Sequence, residues 1–176
     1  MAMSKISLAT VWLDGCSGCH MSFLDTDERL LDLLQLVDLV YSPLVDTKEF
    51  PPSVDVTLVE GAVSSVEDHH KIIRIRERTK TLIALGDCAV TANVPSMRNR
   101  FKTSEIMHRA YFENASNNQS VPNEVIPALL PRVCPVHEVV KVDLFVPGCP
   151  PSADLIYQAL SNLLAGRVEP LHARFG

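Results

Sequence analysis

The sequence predicts an α/β fold built on a mainly parallel, doubly wound β-sheet. Short apolar runs rich in β-branched residues alternate with amphipathic helical patterns along the whole chain. Strands that alternate with helices form parallel sheets with helices on both faces. The 176 residues are 47% hydrophobic, enough for one sizeable core, and no internal repeat or linker divides them. We therefore expect residues 1–176 to form a single domain.

The strands are predicted from short apolar runs, as expected where a strand is buried on both faces. In chain order they are "KISLATVWL" (5–13), "LVYS" (39–42), "VDVTLVEG" (54–61), "TLIALGDC" (81–88) and "VDLFVPGC" (142–149).

The first helix is predicted from Ser22 to Val37, where apolar residues recur at helical spacing. Asp25, Asp27 and Glu28 would occupy its first turns, where the helix dipole favours negative charge. A helix start would therefore account for the three acidic residues.

Two further helices complete the alternation. "SSVE" (64–67) is a capping-box pattern that would open a helix running to about Thr79. "SADLIYQALSNLLAG" (152–166) predicts the last helix, with Gly166 as its C-cap. The complete order predicts a flavodoxin-like, doubly wound sheet.

One stretch breaks the alternation. Residues 112–135 hold four prolines and a cluster of Asn and Ser, and we expect an irregular segment over about 94–140. Long irregular segments are either functional, interfacial or flexible surface loops. The sequence leaves these alternatives open.

Composition excludes several classes of function. A net charge of −5 and a pI near 5.6 argue against a nucleic-acid surface or a polybasic membrane anchor. No apolar run approaches the roughly 20 residues of a membrane helix. The start "MAMSKISLATVWLDGC" shows neither a signal peptide nor a twin-arginine pair. We therefore expect a cytoplasmic protein, in which the five cysteines are metal ligands or catalytic groups.

Four of the cysteines follow predicted strands. Cys16 and Cys19 follow the first strand, Cys88 ends the fourth and Cys149 ends the fifth. Because the carboxyl ends of parallel strands share one edge of a sheet, the four thiols should converge there. Neighbouring glycines would let the backbone pack closely around a bulky group.

Residue chemistry alone leaves three interpretations of this set. Cys16 and Cys19 in "DGCSGCH" (14–20) could form a thioredoxin-like dithiol near Trp12, while four thiolates could hold zinc or a [4Fe–4S] cluster. One CxxC and two remote cysteines favour a cluster over a zinc ribbon, which pairs two CxxC knuckles.

Cys134 is the remaining cysteine. It forms a C-x-x-H pair with His137 inside the segment predicted to be irregular. We interpret it as a small buried or surface thiol rather than as a metal ligand.

Four motifs resemble those of a known family. The motifs are "GCSGCH" (15–20), "LVEGAV" (58–63), "ALGDCA" (84–89) and "VPGCPP" (146–151). They closely resemble the small subunit of [NiFe] hydrogenases and the related 20-kDa-type subunit of respiratory NADH:quinone oxidoreductase. The resemblance implies that Cys16, Cys19, Cys88 and Cys149 bind the iron of the proximal [4Fe–4S] cluster, and that this chain carries no catalytic residue.

The same resemblance places other residues beside the cluster. Glu60 and Gly61 match the family's strand end next to it, and a supporting polar role is implied for Glu60. His20 adjoins a ligand and is either a hydrogen-bond donor towards the cluster or a packing residue. Asp14, together with the three acidic residues of the predicted helix start, is a candidate for a proton path or a solvated surface.

Departures from the family pattern distinguish its branches. Cysteines separated by Ser17 and Gly18 favour a hydrogenase, since the respiratory relative carries adjacent cysteines. No cysteine follows Cys149 up to Gly176, so we expect one cluster. The usual Gly-Gly after the third motif is absent from "DCAVTANVPSMRNR" (87–100). The chain is thus similar to the small subunit of soluble, bidirectional NAD-reducing hydrogenases.

This resemblance implies an electron-transfer subunit. The Ni–Fe centre would belong to a large-subunit partner, and FMN, NAD and further iron–sulfur clusters to diaphorase subunits. No nucleic acid or membrane partner is expected. The alternatives are the cluster-bearing subunit of a complex I-like quinone reductase and a zinc-stapled α/β binding module.

Overall fold

A five-stranded, all-parallel sheet forms the centre of the fold. The computed structural model describes residues 5–167, and its strand order is β2-β1-β3-β5-β7. When these five strands are counted among themselves along the chain, this is the 2-1-3-4-5 order of a flavodoxin-like sheet. The strands are β1 (Ile6–Trp12), β2 (Val37–Tyr41), β3 (Val54–Glu60), β5 (Thr79–Leu85) and β7 (Leu144–Val146). The predicted fold class is confirmed.

Helices cover both faces of the sheet because its central strands alternate their apolar side chains. Leu58 and Ile83 belong to one core cluster, whereas Val59 and Leu82 belong to the other. The first cluster is closed by α1, α2 and α6, and the second by α3 and α4. The helices are α1 (Gly18–Leu24), α2 (Arg29–Leu36), α3 (Val66–Glu77), α4 (Asp87–Thr91), α5 (Thr103–His108) and α6 (Ala153–Leu164).

The predicted helix over Ser22–Val37 is wrong in its extent. It is two helices, α1 and α2, separated by a turn at residues 25–28. Thr26 donates its hydroxyl to the Phe23 carbonyl at 2.7 Å, and Asp27 has a left-handed backbone with φ 52°. The local side-chain bond competes with the helical ladder. The acidic residues predicted for the first turns therefore lie at this turn.

Strand ends also differ from the prediction. The second strand starts at Val37 rather than 39. The fourth, predicted over 81–88, ends at Leu85, so that Cys88 lies on α4. The fifth, predicted over 142–149, is limited to Leu144–Val146. Glycines cause these stops, since Gly86 and Gly148 have φ values of 80° and 136° that end an extended strand.

The caps of the two long helices follow local side-chain chemistry. The capping box of α3 pairs Ser65 with Asp68, one residue beyond the predicted Ser64–Glu67 pair. Ser152 caps α6, its hydroxyl accepting the Leu155 N–H at 3.3 Å. Gly166 has φ 68° just beyond the helix, as its predicted role requires.

The segment over about 94–140 contains short elements and a strand that the sequence pattern did not predict. Strand β6 pairs antiparallel with β4, forming a second, two-stranded sheet. Asn99 fixes β6 by bonding both the N–H and the carbonyl of Val133, at 2.8 and 2.9 Å. The elements of the segment are the 3-10 turns Val94–Arg100 and Val136–Glu138, the π turn Arg109–Glu113 and β6 (Leu129–Cys134). The partner strand β4 (Val63–Ser65) precedes the segment.

No helix within residues 5–167 is both long and apolar enough to span a bilayer. The expectation about a leader concerned residues 1–16, and that of a single cluster the sequence after Cys149; in each case part of the stretch, residues 1–4 and 168–176, lies outside the described residues.

Candidate metal centre

The CxxC loop is anchored to the end of β3. Beyond β1, the Leu13 N–H donates to the Glu60 carbonyl at 2.9 Å, and Asp14 forms a two-way backbone bridge with Ala62. Gly61 permits this approach, because a Cβ there would lie 2.8 Å from the Leu13 carbonyl carbon. The loop carrying Cys16 therefore passes directly over the strand end carrying Glu60.

Cys19 lies in the first turn of α1. Ser17 adopts a left-handed backbone with φ 65° at the N-cap, and this bend turns the loop into the helix. The Gly18 N–H donates to Cys16 Sγ at 3.4 Å. Cys19 is buried, whereas Cys16 is exposed.

Asp87 joins the loops that carry the other two cysteines. Its carboxylate accepts the Gly148 N–H at 2.7 Å, and its own N–H donates to the Gly148 carbonyl at 2.8 Å. Cys88 directly follows Asp87, and Cys149 directly follows Gly148. The Cys149–Pro150 peptide bond is cis. Cys88 is half-buried and Cys149 is exposed.

A third contact joins the CxxC helix to the Cys149 loop. The buried Ser22 hydroxyl of α1 donates to the Pro151 carbonyl at 2.5 Å. The four cysteine-bearing positions are thus connected by hydrogen bonds from α1, α4 and the loop after β7. This arrangement agrees with the expectation that the carboxyl edge of the sheet brings the thiols together.

The four thiols lie near enough to influence one another's ionisation. Burial raises the pKa of Cys19 far above its usual range, and Glu60, Cys88, Cys16 and Cys149 raise it further through their charges. Burial, followed by Cys149 and Cys16, raises the pKa of Cys88 to about 11. A group that neutralises several thiolates at once would reverse this cost, as bound metal does.

Two glycines leave room for the thiols themselves. A Cβ at Gly86 would lie 2.2 Å from Cys19 Sγ, and one at Gly18 would lie 3.2 Å from Cys16 Sγ. Four thiols from three loops are the donor set of a [4Fe–4S] cluster. Within residues 5–167, no group of three or more His, Cys, Asp or Glu is arranged around a single-ion position. In a four-iron cluster each thiolate binds a different iron atom, so the residues fit that group.

Cys134 stands apart from this set. It is half-buried at the end of β6, where its sulfur contacts Arg132 Nη1 at 3.6 Å. Arg132 in turn pairs with Glu138 at 2.6 Å. The ring of His137 packs edge-on against Phe145 with centroids 5.7 Å apart, so the C-x-x-H pattern corresponds to two separate environments.

His20 and Glu60 form a buried pair beneath the CxxC loop. The His20 N–H donates to Glu60 Oε2 at 3.0 Å, and ring Nδ1 makes a short contact with the same oxygen. Ring Nε2 contacts Thr10 Oγ1 at 3.0 Å. Both ring nitrogens are therefore occupied, and His20 is not a donor towards the thiols. No local sequence signal marked Thr10, Ser22 or Asp87, because their contacts join residues distant along the chain.

Comparison with known proteins gives consistent results. The profile of the family described as "NADH ubiquinone oxidoreductase, 20 Kd subunit" matches residues 16–163. The NAD-reducing hydrogenase HoxS subunit delta of Cupriavidus necator is 44% identical over 168 residues, covering 93% of this chain and 80% of the relative.

Another relative is longer than this chain. It is a subunit of the F420-non-reducing hydrogenase of Methanocaldococcus jannaschii, 39% identical over 168 residues, which are 94% of this chain and 58% of the relative. Among solved structures, a chain of an NAD+-reducing [NiFe]-hydrogenase in the H2-reduced state superimposes with a TM-score of 0.91 at 38% identity. That match covers 98% of this chain and 97% of the other.

Proposed function

Since the chain belongs to the family of NADH:ubiquinone oxidoreductase 20-kDa subunits and hydrogenase small subunits, we propose that it is the electron-transfer subunit of a cytoplasmic NAD-reducing [NiFe] hydrogenase. The observation that carries the proposal is the convergence of Cys16, Cys19, Cys88 and Cys149 at the carboxyl edge of the sheet. The cluster they would hold is the proximal [4Fe–4S] cluster, the single cluster of this chain. Residues 1–176 would form one iron–sulfur domain, because the ligands come from early and late parts of the chain, after β1, β5 and β7.

In this proposal the residues of the chain hold and insulate an electron carrier. A bound [4Fe–4S] cluster supplies one-electron transfer. Cys19 provides the most buried thiolate, while Asp87 and Ser22 fix the loops from which the others extend. The catalytic Ni–Fe centre would lie on a large subunit, and no residue of this chain would act on hydrogen itself.

The exposed side of the site is the proposed contact with that large subunit. Cys16 and Cys149 are exposed, and Trp12 and Met21, which flank the CxxC loop in sequence, have exposed fractions of 44% and 57%. Large exposed apolar side chains near the ligand loop favour a protein partner. Diaphorase subunits with FMN, further clusters and the NAD site would receive the electrons beyond this chain.

Function is tested on the complex that copurifies with a tagged chain under anaerobic conditions. We expect a nickel-containing partner and H2-dependent reduction of NAD+. Replacing Cys88 by Ser should abolish NAD+ reduction while the partner's nickel is retained, because electron transfer is lost rather than the Ni–Fe centre. The matched variant Cys134→Ser should keep the activity, since Cys134 lies apart from the four thiols.

The second candidate rests on the family profile, whose description names the respiratory enzyme. In that case the complex would contain iron without nickel and would reduce a quinone. Zinc without iron in the complex, and no reduction of NAD+ or quinone, would contradict both redox functions and favour the zinc-stapled binding module.

A further inference from the structure

Four polar side chains form a continuous buried chain behind the CxxC loop. Glu60, His20, Thr10 and Ser42 have exposed fractions of 2%, 5%, 1% and 3%. They connect the end of β3, the first turn of α1, the middle of β1 and the residue after β2. Buried polar groups are costly unless each is bonded, so a chain of four in a small domain needs a reason.

The directions of the hydrogen bonds can be assigned from one end of the chain. The Leu44 N–H and the Thr10 hydroxyl both donate to Ser42 Oγ, at 3.1 and 2.7 Å. The Thr10 proton is therefore used, and Thr10 Oγ1 can only accept from His20 Nε2. This fixes Nε2 of His20 as a donor towards β1. Because Nδ1 without a hydrogen and a carboxylate oxygen are both acceptors, the short contact between Nδ1 and Glu60 Oε2 also requires a hydrogen between them, and that hydrogen offsets the carboxylate charge.

The carboxylate of Glu60 contacts the CxxC loop at both ends. Oε2 accepts the backbone N–H of His20, the residue after Cys19. A Cβ at Gly15, the residue before Cys16, would lie 3.7 Å from Oε1. The charge of Glu60 also acts on the thiols, since it raises the pKa of both Cys19 and Cys88.

From this geometry we propose that His20 is a positioning residue, which orients the Glu60 carboxylate and compensates its charge beside the four thiols and thereby tunes the reduction potential of the cluster. The inference rests on the proposed function, because it requires a cluster at this site. Its physical basis is that a carboxylate buried next to thiolates disfavours the added negative charge of a reduced cluster. The imidazole ring is the side-chain partner that offsets this charge.

The test is a redox titration of the cluster in the anaerobically purified complex, followed by EPR. We expect His20→Gln to lower the midpoint potential, because the carboxylate loses its ring partner. Glu60→Gln should raise the potential, because the charge is removed. The double variant should match Glu60→Gln, since without the carboxylate there is no charge for His20 to offset.

A pair of variants at Thr10 keeps the test decisive if His20→Gln loses iron. Thr10→Val removes the acceptor of the Nε2–H while leaving both His20 and Glu60 in place. Thr10→Ser preserves the acceptor. We expect Thr10→Val to shift the potential and the EPR line shape, and Thr10→Ser to leave both unchanged.

The outcomes separate this inference from the proposed function. An unmodified complex without an iron–sulfur signal would overturn the proposed function, and the inference with it. A normal cluster in the unmodified complex, combined with unchanged potentials in His20→Gln and Thr10→Val, would overturn the inference alone. In that case His20 would be a packing residue only.

Discussion

At the scale of single residues, the site depends on a glycine beside a buried thiol. Gly86 ends β5 with φ 80°, and the space where its Cβ would lie is filled by Cys19 Sγ. The same glycine donates its N–H to the Val146 carbonyl at 2.8 Å, which joins the ends of β5 and β7. Backbone shape and thiol position are therefore coupled at this residue.

Gly86→Ala should deplete the chain of iron, because the added methyl group would displace Cys19 from its position. Gly166→Ala is the matched control, since Gly166 also has a positive φ, 68°, but no atom lies within 4 Å of the place its Cβ would take. Gly166→Ala carries the strain of about 1 kcal/mol expected for a left-handed Ala, and Gly86→Ala carries about 1–3 kcal/mol, because Gly86 combines its positive φ with a ψ of 161°. Iron per chain is the measurement, and equal iron in the two variants would contradict the coupling of Gly86 to Cys19.

Sequence reasoning predicted the four cysteines but not the residues that hold them. Cysteines after parallel strands must meet at one edge, so their convergence follows from the fold class alone. The contacts of His20 cross to β1 and β3, at positions 10 and 40 residues away. Such contacts depend on strand register, which no local pattern specifies.

At the scale of elements, α3 shows how a cap is chosen. Two overlapping patterns compete at its start, and Ser65 with Asp68 is the pair that forms, with both bonds at 3.0 Å. The β4–β6 pairing decides the choice, because it holds Ser65 extended and the Val66 N–H donates to the Ala128 carbonyl at 2.9 Å. Since β6 is distant in sequence, the position of the cap could not be predicted from "SSVE".

Ser65→Ala should weaken the first turn of α3 by about 1 kcal/mol, the usual cost of losing a serine cap. Hydrogen–deuterium exchange of the first-turn amides should accelerate about fivefold. Glu67→Gln, at an exposed position outside the capping box, is the control and should change little. Faster exchange in Glu67→Gln than in Ser65→Ala would show that the pair predicted from the sequence, Ser64 with Glu67, caps the helix.

A second element-scale feature joins three strands at their amino ends. Asp55 of β3 accepts the N–H and hydroxyl of Ser7 on β1, at 2.9 and 2.7 Å, and pairs with Lys80 of β5 at 2.6 Å. These bonds lower the pKa of Asp55 to about 2. The carboxylate thus stabilises the register of the three central strands.

Asp55→Asn should lower the free energy of unfolding by about 1 kcal/mol at pH 7, a value reduced for the partial exposure of this pair. Because the pKa is lowered in the folded state, the stabilisation is complete above pH 3.8 and is lost as the pH falls through about 2. Denaturant unfolding followed by the fluorescence of Trp12, the one tryptophan of the sequence, measures the difference. A difference that grows as the pH falls from 4 to 2 would contradict this assignment.

At the scale of the whole molecule, the fold concentrates function at one edge. The strand order and the two-faced helical cover were predictable, because apolar strands alternated with helices. The short elements over residues 94–138 were not, since they are fixed by distant bonds such as Arg98 to the carbonyls of Ser64 and Leu130. Val133 of this segment packs with Ala92 and with Ala62, which follows the end of β3, in a small buried cluster.

The measurement that tests the central claim most directly is the iron and acid-labile sulfide content of the anaerobic complex, read together with its EPR spectrum after reduction. We expect about four irons and four sulfides per chain and one cluster signal, lost in Cys88→Ser and retained in Cys134→Ser. Zinc in place of iron, or iron that survives Cys88→Ser unchanged, would contradict the claim that these four thiols hold a [4Fe–4S] cluster.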